Sequence, residues 1–155
     1  MARRLVGLIS DTHGLLRPEA VQALEGSDLI VHAGDIGQSA ILDALQAVAP
    51  VRAVRGNVDR GVWAHALPKS EAVEFDGISV YVVHNIEDLD IDPLAAGFNV
   101  VVSGHSHQPS VRERDKVIFV NPGSAGPRRF KLPVSLALMF VQDHSVDVQL
   151  MTLDV

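Results

Sequence analysis

Short apolar runs alternate with amphipathic stretches along the chain, and each early run ends in a polar cluster. Leu5-Val6-Gly7-Leu8-Ile9 is continuously apolar, which predicts a strand covered on both faces. It runs into Ser10-Asp11-Thr12-His13-Gly14. Pro18 suits the first turn of a helix whose apolar face is Ala20, Val21 and Leu24, with Gly26 closing it. Leu29-Ile30-Val31 predicts a second strand, ending in His32-Ala33-Gly34-Asp35. Ser39 reads as the N-cap of a helix carrying Ile41, Leu42, Leu45 and Val48. Residues 51–54 predict a third strand, ending in Arg55-Gly56-Asn57-Val58-Asp59. This order implies parallel strands joined by crossover helices. In open α/β sheets, sites form outside the carboxyl ends of the strands, where these polar clusters fall.

The pattern then changes. Residues 73–75 and 78–83 flank Asp76-Gly77, which suits a type I′ hairpin turn, and the second strand runs on to His84-Asn85. Residues 93–97 read as a short helical link, and residues 98–102 as a strand that delivers Ser103-Gly104-His105-Ser106-His107. Alternate residues of extended chain point the same way, so His105 and His107 can lean into one cavity. Residues 111–114 and 117–120 predict a hairpin around Asp115-Lys116, and residues 121–127 form a loop rich in breakers. The chain finishes as a hairpin of residues 134–141 and 146–153 around Asp143-His144-Ser145. A parallel first half and an antiparallel second half fit an α/β core of two sheets with helices outside. The length, 155 residues, fits one domain, 1–155.

Composition narrows the chemistry. The apolar fraction of 47% and charged fraction of 21% are those of an ordinary soluble protein. A net charge of −6 argues against a general nucleic-acid surface. The apolar run after Met1-Ala2-Arg3-Arg4 is too short for a signal peptide, and nothing approaches a membrane span. A cytoplasmic protein is expected, with no membrane partner. Because the chain has no cysteine, a metal site must use nitrogen and oxygen donors.

The predicted strand ends offer Asp11, His13, Asp35, Asn57, His84, His105 and His107. Singly, each is a turn residue or a satisfied histidine. Together they make an oxygen-and-nitrogen set suited to Mn²⁺, Fe²⁺, Zn²⁺ or Ni²⁺ rather than a Ca²⁺ cage. Seven donors exceed one tetrahedral ion and suit two ions sharing a carboxylate. His32 reads as core or as a support for the ligands. His65 and His144 read as surface or loop residues, Trp63 as packing, and Arg128-Arg129-Phe130-Lys131 as a solvated basic turn. Arg60 is a candidate contact for substrate phosphate. The apolar C-terminal hairpin leaves a homo-oligomer open.

Asp11-x-His13, Gly34-Asp35, Gly56-Asn57, His84 and Gly104-His105-x-His107, in this order, resemble the calcineurin-like metallophosphoesterases. The short length, Gly56-Asn57-x-Asp59 and Asn121-Pro122-Gly123-Ser124 resemble its small YfcE-type phosphodiesterase branch. The resemblance implies a four-layer α/β/β/α sandwich with two mixed β-sheets. It implies that Asp11, His13 and His107 hold one ion, that Asn57, His84 and His105 hold the other, and that Asp35 bridges them. It places Asp35, Asn57 and His105 in the catalytic centre, with two divalent ions, Mn²⁺ first among them, and a bridging hydroxide that attacks a small phosphodiester in line. Two positions depart from the pattern. Val58 stands where many members carry a histidine that assists the leaving group, and Asn85 stands where glycine often follows the ligand histidine. Val58 implies a preference for diesters or activated esters over alkyl monoesters. Asn85 is expected to tolerate a left-handed backbone. The alternative is a catalytically weak or inactive scaffold on the same fold.

Overall fold

The computed structural model describes residues 3–155. One sheet has the order β10-β9-β1-β2-β3 and the other β4-β5-β6-β8-β7. In the first, β1 (Arg4–Ile9), β2 (Leu29–His32) and β3 (Val51–Ala53) run parallel, with Val6 opposite Leu29 and Ile30 opposite Val51. The hairpin of β9 (Ser135–Gln142) and β10 (Ser145–Thr152) adds to β1 antiparallel. In the second, β5 (Ile78–Val83), β6 (Val100–Val102) and β8 (Val117–Asn121) are parallel, while β4 (Ser70–Phe75) and β7 (Ser110–Arg114) form antiparallel edges.

The period-2 alternation of the strands explains the continuous apolar run of β1. Val6 and Leu8, with Met139 of β9, face the second sheet, where they join a cluster with Val80, Val82, Val100 and Val102. Ile9 faces the other way, onto Leu24 of α1 (Pro18–Leu24) and Leu45 of α2 (Ser39–Gln46). These contacts give the α/β/β order. The fourth layer is thin: a 3-10 turn at Ile86–Asp88 and the following loop lie over the outer face of β7 and β8, beside Arg112 and Phe119. No helix among the described residues is long and apolar enough to cross a membrane.

Several local details differ from the sequence reading. Residues 93–97 form hydrogen-bonded turns rather than a helix: Asp92 caps the first turn by accepting from the Leu94 and Ala95 amides, and left-handed Gly97 (φ 86°) closes it at once, its amide donating to the Leu94 carbonyl. Ser39 is the first helical residue, and extended Gln38 precedes it without a side-chain cap. A one-turn helix, α3 (Val62–His65), follows the Asn57 loop, and Trp63 packs with the helix-side core. The last hairpin turns on two left-handed residues, Asp143 and His144, with Ser145 already in the strand. Asn85 is extended (φ −113°) and its side chain caps the 3-10 turn by accepting from the Glu87 amide, so no left-handed residue is needed there.

Candidate metal centre

The parallel strands of both sheets end on one side of the sandwich, and the loops there interlock. Asp11 follows β1 and Asp35 follows β2, both in the left-handed region at φ 56°. His13, His105 and His107 are also left-handed, at φ 46°, 71° and 63°. Such geometry costs a non-glycine residue on the order of 1 kcal/mol, so it persists only where the surroundings hold it. The holding contacts are backbone hydrogen bonds between loops: the Asp11 amide donates to the Gly34 carbonyl at 3.0 Å, and the His13 amide to the Asp35 carbonyl at 2.9 Å. Gly104 lies against Ser10 and Asp11, where an added Cβ would overlap the serine hydroxyl.

Two donor groups result, Asp11-His13-His107 and Asp35-His84-His105, with the ligand atoms of each within 4.8 Å of one another. Each is partly aimed by a hydrogen bond behind it. Asp11 Oδ2 accepts from Ser10 Oγ at 2.6 Å and from the His105 amide at 3.1 Å. Its Oδ1 is thereby left facing His107 Nε2 at 3.3 Å and His13 Nε2 at 3.7 Å. His84 Nδ1 lies 2.8 Å from the Ala33 carbonyl, which can only accept, so Nδ1 carries the proton and the Nε2 lone pair points into the site. Asp35 Oδ1 accepts from the Val58 amide at 3.1 Å. Its Oδ2 stands 3.2 Å from His84 Nε2 and 3.7 Å from His13 Nε2, one histidine from each group.

Four buried atoms at this centre, Asp11 Oδ1, His13 Nε2, His84 Nε2 and His107 Nδ1, have no hydrogen-bond partner. Buried polar atoms left unpaired are costly, and Asp11 Oδ1, His13 Nε2 and His84 Nε2, together with His107 Nε2 at 3.3 Å from Asp11 Oδ1, converge as a donor set that suits a cation. The electrostatics agree. Burial disfavours the Asp11 carboxylate, but His107, His13 and Ser10 outweigh it and hold its pKa far below the ordinary value. Asp35 is likewise lowered, burial being overcome by His84 and the Val58 amide. His13 is raised, first by Asp11 and against its burial, with Arg129 opposing. His84 is raised because Asp35 and Asp11 outweigh burial. Both carboxylates are therefore ionised at neutral pH and attract the histidines around them.

Asn57 lines a cavity of about 610 Å³ together with His84 and His105. All seven sequence-derived donors thus border one region. Arg60 is exposed, whereas the cations lining the cavity are Arg55 and Lys69, which the sequence reading passed over. Asp59, which the motif at 56–59 contains without a chemical signature of its own, is a structural tie. This buried carboxylate accepts from the Ile36, Gly37 and Gly56 amides at 3.1, 2.9 and 2.9 Å, joining the Asp35 and Asn57 loops. His32 plays the supporting part expected of it. Its Nδ1 accepts from the Gly34 amide at 3.0 Å, so Nε2 donates to Thr12 Oγ1, also at 3.0 Å. Asn121 ties the histidine loop down by donating to the Gly104 carbonyl and Ser106 Oγ, both at 3.0 Å.

Comparison with known proteins gives a consistent account. The family model of the calcineurin-like phosphoesterase superfamily domain matches residues 5–144. A probable metallophosphoesterase of Methanothermobacter thermautotrophicus is 35% identical, the match covering 94% of this chain and 91% of the relative. A phosphodiesterase of Methanocaldococcus jannaschii is 25% identical over 76% of this chain and 82% of its own. Among solved structures, vacuolar protein sorting 29 of Cryptosporidium parvum shares the fold with a TM-score of 0.77 at 19% identity, over 96% of this chain and 97% of that one.

Proposed function

The chain belongs to the calcineurin-like phosphoesterase superfamily, and from that premise we propose that it is a phosphodiesterase working with two divalent cations. The observation that carries this reading is the position of Asp35 Oδ2, between a histidine of each donor group. In the proposed arrangement Asp11, His13 and His107 hold one cation, Asn57, His84 and His105 hold the other, and Asp35 serves both. Mn²⁺ is the expected ion, with Ni²⁺, Zn²⁺ or Fe²⁺ as alternatives set by supply. When bound, such a pair supplies positive charge to the phosphoryl oxygens and an acidified water as nucleophile.

The chain's own residues contribute the rest. Ser10 and the His105 amide fix the rotation of the Asp11 carboxylate, and the Ala33 carbonyl fixes the tautomer of His84. Asn57 and His105 border the open cavity, so a phosphoryl group would lie against them. Arg60, beyond the same loop, is the proposed outer contact for an incoming phosphate. Val58 is 44% exposed beside Asn57 and cannot donate a proton. A leaving alkoxide would gain no acid assistance from that position, which favours diesters and activated esters over alkyl monoesters.

The test is hydrolysis of bis(p-nitrophenyl) phosphate by chelator-stripped protein, before and after adding Mn²⁺, Ni²⁺, Zn²⁺ or Mg²⁺, with Asp35→Ala as control. Metal-dependent turnover that falls at least about 100-fold in the variant is expected, the scale of losing a group that orients the reacting centre. Metal binding with no turnover by the wild type would overturn the enzymatic reading in favour of a binding protein on this fold.

A further inference from the structure

The cavity beside Asn57, His84 and His105 carries more charge than holding a phosphate requires. Arg55 and Lys69 come to it from the end of β3 and the residue before β4. Asp88 and Asp90 come to it from the segment after β5. Among the described residues, none of these four charged groups is in an ion pair or a side-chain hydrogen bond. Two cations and two anions thus share one concavity without neutralising one another. Tyr81 and Val83 add apolar lining, and Tyr81 is fixed edge-on against Phe98 with ring centroids 5.1 Å apart. The volume, about 610 Å³, is that of a small-molecule site. The cavity touches the Asp35-His84-His105 group and not Asp11, His13 or His107, so it lies to one side of the centre.

Resting on the phosphodiesterase reading, we propose that this cavity receives one ester arm of the substrate and selects an arm that is itself dipolar. A carboxylate or phosphate on that arm lies toward Arg55 and Lys69, and an ammonium or N–H group lies toward Asp88 and Asp90. Lys69, Asp88 and Asp90 are exposed and keep water as a partner, so a neutral arm would gain nothing from them, and an arm of one sign would meet attraction from one pair and repulsion from the other. In the reaction, water attacks phosphorus, the bond to the opposite ester oxygen breaks, that oxygen leaves as its alkoxide or aryloxide, and the water's proton passes to solvent. The dipolar arm stays on the phosphate monoester product.

The test uses three p-nitrophenyl phosphodiesters whose second arm is serine, ethanolamine or n-propanol. Partly exposed single charges change affinity by a few-fold, so the serine ester should exceed the propyl ester in kcat/KM by about tenfold, through KM. Lys69→Ala should cost the serine ester about threefold and spare the propyl ester. Asp88→Asn with Asp90→Asn should weaken both amine-bearing esters, again sparing the propyl ester. Equal kcat/KM for the three esters, or variants that move all three alike, would overturn the proposal while leaving the phosphodiesterase reading intact. A binding measurement separates the opposite case. Methyl phosphoserine diester is titrated into metal-free protein and followed by amide NMR shifts at Lys69, Ser70 and Tyr81. Saturable shifts there, lost in Lys69→Ala, would support the cavity assignment even if no ester were hydrolysed, and their absence would count against it.

Discussion

Asp59→Ala should detach the Asp35 loop from the Asn57 loop and destabilise the whole fold. The carboxylate is 5% exposed and has three amide donors, Ile36 and Gly56 on one oxygen and Gly37 on the other. Gly37 is exposed and can turn to water, so two buried donors lose their partner. Hydrogen bonds to a charged group contribute about 1.5–3 kcal/mol each, and the lower end applies because burying the carboxylate offsets part of the gain. The expected loss is therefore about 3–4 kcal/mol, or about 10 °C in Tm for a domain of this size. Urea denaturation of the metal-free protein, followed by circular dichroism, measures it, with an unchanged m-value showing that the folded state is otherwise intact. Asp59→Asn keeps one carbonyl oxygen and should lose about half as much. A value for Asp59→Ala within about 1 kcal/mol of wild type, or an asparagine variant as costly as alanine, would refute the reasoning.

Three further outcomes are expected. Burial holds the pKa of His32 down to about 4 against an unfolded value of 6.5, so below pH 6.5 the unfolded chain binds the extra proton. Stability should fall as pH drops from 6.5 toward 4, by roughly 3 kcal/mol in all. The difference in pH slope between wild type and His32→Gln isolates this from His13 and His84, whose raised pKa values act in the opposite direction. Gly104→Ala would force a Cβ into Ser10 Oγ and to 2.5 Å from Asp11 Oδ2. It should cost about 1–3 kcal/mol in urea denaturation and weaken Mn²⁺ binding by about 10–100-fold in calorimetry. Val58→His places a proton donor next to Asn57 and should raise kcat for an alkyl phosphomonoester by about 100-fold, with bis(p-nitrophenyl) phosphate little changed. A rise below about threefold would remove Val58 as the cause of any diester preference.

The donors were legible in the sequence because each stands directly after an apolar run, where strand polarity dictates the outlet. The run lengths located β1, β2 and β5 closely. The strand from 98 is shorter than its apolar signal, since Phe98 turns outward to Tyr81 and Asn99 spends its side chain on the Ser79 amide. The pairing of β6 between β5 and β8 is a long-range choice that no local pattern encodes. The task of Asp59 was hidden for the same reason: its donors are backbone amides, two of them more than twenty residues away. Arg55 and Lys69 carry no motif and matter only because the end of β3 and the start of β4 meet there, where the Arg55 amide donates to the Pro68 carbonyl at 2.8 Å. Arg60 is nearer in sequence to Asn57; the buried Asp59 between them anchors the loop, and Arg60 is exposed outside the cavity lining.

Neither donor group belongs to one sheet. Asp11 and His13 hang from the first sheet and His107 from the second, while Asp35 hangs from the first and His84 and His105 from the second. A cation held in either group would therefore act as a rivet between the layers, added to the aliphatic packing and to the His84–Ala33 and His105–Asp11 hydrogen bonds that already cross between them. Splaying the sandwich at this end would have to expel the ion. At a free ion concentration 100 times Kd, that linkage adds about 2.7 kcal/mol to the native state. Loading with metal and resistance to unfolding should then be two readings of one quantity, the distance between the sheets at their shared end.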